Sequence, residues 1–95
     1  MTKKETVSKA MEGWTASNFC RHFSALDSDG GAVYPTNPSA VKWCAIGRLY
    51  RVKDEPDIVN QIWTDFLAKY GEHLAAYSDL AGLEAVKEKL ERLYD

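Results

Sequence analysis

The chain has 95 residues, 45% of them hydrophobic and 12% aromatic, with a formal net charge of −2. That length suits one compact core and excludes a catalytic cleft framed by two lobes, while the composition lies far from the regime of disordered chains. No apolar run approaches the roughly 20 residues a helix needs to span a bilayer, and no apolar stretch follows the lysines of "MTKKETVSKAMEGW", so the expectation is a single domain over 1–95 in the cytoplasm, with no membrane partner.

The first helix is announced by Thr2 and Glu5, spaced as a capping box in which each side chain serves a backbone N–H of the first turn. Val7, Ala10, Met11 and Trp14 follow at helical spacing, and Gly13 marks the end. The period is then lost. Phe19, Phe23 and Leu26 are apolar anchors, and Asp29-Gly30 suits a tight hairpin turn, predicting short strands at 24–28 and 31–34. Asn37 as cap and Pro38 at the first helical position predict a second helix starting there. Val41, Cys44, Ala45, Leu49 and Val52 would line one face of it, and Trp43, Ile46 and Tyr50 a second. A helix apolar on two sides belongs in the middle of a domain, and Gly47 would let a neighbour approach closely.

Asp54 as cap, Pro56 in the first turn and Asp57 beside the positive end predict a third helix. Its stripe is Val59, Ile62, Trp63, Phe66, Leu67 and Tyr70, and Gly71 terminates it. A last helix is expected after "YSD", with Leu83, Val86, Leu90 and Leu93 inward and the pairs Lys87–Glu91 and Glu88–Arg92 outward; Glu84–Glu88 is a like-charge pair. The predicted fold is thus mainly α (α+β): a compact bundle of about four helices with a short β-hairpin between the first and second.

Charge is segregated along the chain. Residues 41–53 carry Lys42, Arg48, Arg51 and Lys53 with no acid, whereas residues 54–95 carry ten acids against four bases. A cationic segment beside an anionic half serves internal ion pairs or a polar partner surface. An overall pI near 5.6 opposes an extended nucleic-acid footprint, so a DNA-associated regulator using the cationic helix edge ranks behind a protein-binding reading.

The motifs that suggest chemistry mostly dissolve on counting. "DSDGG" spaces acids as a calcium loop does, but the later positions hold Gly31, Ala32 and Pro38 instead of the required ligands. Cys20, His22, Cys44 and His73 are zinc-ligand types without the paired spacing of a zinc site. No metal and no cofactor is expected. Two cysteines in a chain without a secretory signal read as reduced thiols, and Cys44 on an apolar face reads as inert, because burial raises a thiol's pKa.

At "GWTASNF…LDSDGGAVYPTNPSAVKWCAIGRL" the chain resembles a small family of uncharacterised bacterial and phage domains. The resemblance runs through Gly13-Trp14, Asp27, Gly30, Val33, Pro35, Pro38, Ala40, Trp43-Cys44 and Gly47. Further on, Tyr77-Ser78-Asp79 stands where that family often has Trp-Asn-Asp. The resemblance implies a phage or mobile-element setting and carries no activity.

The function these readings favour is a non-enzymatic protein-binding module, a phage or mobile-element accessory protein that inhibits a host or defence protein, for example a CRISPR-type one. Its expected contact residues are Asp27, Asp29, Arg48, Arg51, Lys53, Tyr77 and Asp79, the charges and aromatics left over once packing is satisfied. A competing reading is a small-ligand or catalytic site formed by Trp43, Cys44, Tyr77 and Asp79. No pattern in the sequence points to a particular oligomeric state.

Overall fold

A computed structural model describes residues 2–95. In chain order its elements are α1 (Lys3–Met11), a 3-10 turn (Ala16–Asn18), β1 (Ala25–Leu26), β2 (Lys42–Trp43), α2 (Ala45–Val52), α3 (Pro56–Tyr70), α4 (Leu74–Ala81) and α5 (Leu83–Glu91). The protein is mainly helical with one small antiparallel sheet, as expected, but the described residues hold five α-helices instead of four. The extra one is α4, which holds Tyr77-Ser78-Asp79, residues that the expected last helix only follows, and Gly82, at φ +88, separates it from α5. That backbone conformation suits glycine and stops helix propagation.

The predicted caps of α1 form as written. Thr2 Oγ1 accepts from the Glu5 N–H at 3.1 Å, and Glu5 Oε1 accepts from the Thr2 N–H at 3.0 Å. Gly71, at φ +71, ends α3. The residue flanking α3 at its start is Glu55 and not Asp54; Asp54 instead accepts a hydrogen bond from the Tyr34 hydroxyl at 2.8 Å. On α5, Glu88 pairs with Arg92 at 3.5 Å. Lys87 reaches away from Glu91 and donates to the Trp14 carbonyl at 2.9 Å, joining α5 to the end of α1.

The middle of the chain departs most from expectation. Residues 24–28 and 31–34 meet only in part: an antiparallel bridge joins Leu26 to Ala32, and the Asp27 N–H donates to the Gly31 carbonyl at 2.9 Å and the Val33 N–H to the Ala25 carbonyl at 3.1 Å. The strand that β1 pairs with is β2, with Ala25 opposite Trp43 and Leu26 opposite Lys42. Asn37 and Pro38 do not open a helix. The Asn37 side-chain oxygen accepts from the N–H and hydroxyl of Ser39, a local turn that competes with helix. Helix α2 begins seven positions later at Ala45, capped by the Cys44 sulfur, which accepts from the Gly47 N–H at 3.5 Å.

α2 touches α1, α3 and α4, the central place its two apolar rows imply. The main core joins Val7, Ala10 and Met11 of α1 and Trp14 to Ala45 and Leu49 of α2, Val59, Ile62 and Phe66 of α3, Leu74, and Leu83, Val86 and Leu90 of α5. A satellite cluster of Ala25, Ala40 and Trp43 lies under the small sheet. Gly47 joins the two: a Cβ there would sit 1.7 Å from the Ser24 carbonyl oxygen, so only glycine lets the 20–24 segment lie against α2. Among the described residues, no helix is long and apolar enough to cross a membrane.

Candidate functional site

The residues expected to contact a partner fall in separate places and are mostly occupied within the chain. Asp27 organises the turn, its Oδ1 accepting from the N–H of Asp29 at 3.0 Å and of Gly31 at 2.8 Å, which leaves Asp29 exposed at a rigid tip. Lys53 pairs with Glu55 at 3.2 Å. Tyr77 is half-buried, 5.9 Å from the Phe66 ring, with the Lys89 ammonium 4.4 Å from its own ring centre. Asp79, on the same helix, serves other partners: it accepts from the His22 N–H at 2.9 Å and lies 3.6 Å from the His22 ring nitrogen, and its carbonyl accepts from Arg21. That grip holds His22 at φ +72, a conformation a non-glycine residue adopts only under restraint.

Arg48 and Arg51 do come together, around Trp43. Their guanidinium carbons lie 5.1 and 5.3 Å from its ring centre. The indole N–H donates to the Pro35 carbonyl at 3.0 Å, and Arg51 donates to the carbonyls of Pro35 and Asn37. Arg48 donates to the carbonyls of Ala10 at 2.8 Å and Glu12 at 2.6 Å, satisfying acceptors that the end of α1 leaves open. Burial, with Arg51 beside it, lowers the Arg48 pKa. The two arginines of the cationic segment are therefore aimed at main-chain oxygens.

The competing set of Trp43, Cys44, Tyr77 and Asp79 has a similar fate. Trp43 is buried, Cys44 is a buried helix cap, and burial pushes the Cys44 thiol upward. A cysteine that turns over as a catalytic nucleophile near neutral pH needs its pKa moved the other way. His73, the remaining zinc-type residue, stacks against Trp63 with ring centres 5.9 Å apart.

Among the clefts that the fold leaves open, the most aromatic lies where α2, α3 and the start of α4 meet. It has a volume of about 270 Å³ and is lined chiefly by Ile46, Tyr50, Asn60, Trp63 and His73 over a floor of Val59 and Leu74. Helical spacing builds it. Ile46 and Tyr50 are four apart on α2, Asn60 and Trp63 three apart on α3, and His73 precedes α4, so each pair shares a helix face. Trp63 is fixed by its N–H donating to Asn60 Oδ1 at 3.0 Å. At the other end, Tyr34 packs on Tyr50 with ring centres 6.3 Å apart and is itself 55% exposed. The Tyr34 hydroxyl is held by Asp54, and that hydrogen bond raises its pKa. Tyr34, Tyr50, Trp63 and His73 thus make an aromatic row along one side of the molecule.

The sequence reading assigned Tyr50 and Trp63 to core rows and gave Tyr34 and His73 no partner role. The available signal was the second apolar row of α2, wider than one covering neighbour needs. Compared with protein families, with curated proteins and with solved structures, the chain matches none.

Proposed function

We propose that the protein is a non-enzymatic binding module that takes apolar or aromatic side chains of a partner protein into the cleft between α2 and α3. The observation that carries this reading is the aromatic row Tyr34–Tyr50–Trp63–His73. Protein interfaces are enriched in Tyr and Trp, which bring large area at small conformational cost. Here Tyr34 and Trp63 are held in place before any partner arrives, by Asp54 and Asn60, and preorganisation of that kind favours affinity. The resemblance to bacterial and phage domains implies a phage or mobile-element setting, and in such a setting the proposed partner is a host or defence protein, inhibited by surface contact. The rigid turn at Asp27–Gly31, with Asp29 at its tip, is a secondary contact.

The test is capture of partners from a bacterial lysate by the intact chain, beside Tyr34→Ala and Tyr50→Ala. Truncating an interface anchor costs about 2 kcal/mol or more, so each variant should retain less than about a tenth of the wild-type recovery while Tyr34→Ala melts close to wild type. Recovery of the same proteins in the same amounts by both variants would remove the cleft as the contact surface.

A further inference from the structure

Cys20 and Cys44 are distant in the chain but neighbours in space. Phe19 forms a parallel bridge with Trp43, and the Cys20 N–H donates to the Trp43 carbonyl at 3.2 Å. Paired strands lie about 4.8 Å apart and their side chains alternate between two faces. The residues one step past that bridge are Cys20 and Cys44, so their backbones lie side by side. A backbone spacing of that size falls within the Cα–Cα range of about 4.4–6.8 Å that a disulfide spans. Both are free thiols, both buried. Electrostatics agrees with the backbone: the Cys20 thiol is pushed up to about 11, first by burial and next by the charge of Cys44.

We propose that Cys20 and Cys44 are a modification site, closing to an intramolecular disulfide at the expense of a small-molecule disulfide such as oxidised glutathione. Cys20 reacts first. It opens the exposed segment 21–24, and its sulfur, donating to the Phe23 carbonyl at 3.4 Å, is less deeply buried than that of Cys44. After losing its proton to solvent, the Cys20 thiolate attacks one glutathione sulfur. A protein–glutathione S–S bond forms, the glutathione S–S bond breaks, and one glutathione thiolate leaves and is protonated. The Cys44 thiolate then attacks the Cys20 sulfur of this mixed disulfide and expels the second glutathione. Two protein thiols have given up two electrons and two protons, and oxidised glutathione has taken both. The product is a covalent latch between the 20–24 segment and the start of α2, and a dithiol reductant reopens it.

The test is mass spectrometry of the folded, reduced chain after incubation with oxidised glutathione at mildly alkaline pH. The expected product is a monomer lighter by two hydrogens, whose peptide map links position 20 to position 44. Cys20→Ser and Cys44→Ser keep the hydrogen bonds that the two sulfurs make; Cys44→Ser should stop at a single glutathione adduct on Cys20, and Cys20→Ser, left with the buried thiol, should stay unmodified. A wild-type chain that gains two glutathiones, crosslinks to a second copy, or stays reduced while the urea-unfolded chain oxidises would overturn the proposal.

Discussion

The stretch from Gly13 to Cys44 and the stretch from Pro56 to Leu93 are held together by different means. The second is three helices whose apolar stripes interlock around Ile62, Phe66, Val86 and Leu90, and its order comes from area removed from water. The first has little regular structure, and its order comes from side chains reaching for main-chain oxygens. Trp14 donates to the Trp43 carbonyl, Trp43 to Pro35, Arg48 to Ala10 and Glu12, and Arg51 to Pro35 and Asn37. A stripe tolerates repacking because dispersion is spread over many contacts. A half-buried donor that loses its acceptors has no such reserve.

The sharpest break between the two regions should come at their joint. Gly47→Ala places a methyl group on the Ser24 carbonyl, which neither α2 nor the 20–24 segment can avoid without separating. Overpacking against rigid backbone at this scale should cost about 4 kcal/mol, read as a lower urea midpoint, with hydrogen exchange rising in residues 20–26 before it rises in α3. Next in size, Arg48→Met keeps most of the apolar stem and removes two charge-assisted hydrogen bonds. A loss of about 2 kcal/mol is expected, with the same locally raised exchange at the end of α1. The smallest effect lies with the helical stretch. Asp65 of α3 accepts from Lys3 and from the Tyr94 hydroxyl, both at 2.7 Å, and these bonds lower its pKa, Lys3 contributing first. A carboxyl that titrates lower when folded adds stability above its unfolded value near 4 and loses it as pH falls through the lower folded value. The pair is more than a third exposed, so Asp65→Asn should cost only about 0.5 kcal/mol at neutral pH. That difference should shrink steadily below pH 4 in urea titrations of the two proteins.

The same contrast decides what the sequence discloses. Where order is local, letters suffice: Thr2 with Glu5, Gly71, and the stripe from Val59 to Phe66 each state their role within a turn or two of helix. Where order is made by distant partners, they mislead. Asn37-Pro38 carries every sign of a helix start, yet Lys42 and Trp43 are drawn into a ladder with Ala25 and Leu26, a long-range pairing that no local preference encodes. Gly47 was readable as a point of close approach, though not that Ser24 would be the neighbour. The acceptors of Arg48 and Arg51 were hidden because a carbonyl leaves no mark in the alphabet of side chains. Ile46 and Tyr50 show the converse. Their apolar row was visible, but whether another element would cover it depends on how α3 and α4 are set, and they leave it as a cleft.

Five of the acceptors that organise the irregular stretch are the main-chain oxygens of residues 10, 12, 35, 37 and 43. Every amino acid brings the same oxygen, so as far as these bonds are concerned the identities at 10, 12 and 37 are free to drift. The burden falls wholly on the donors at 14, 43, 48 and 51, and a library of variants should find tolerance at 12 and 37 and intolerance at those four.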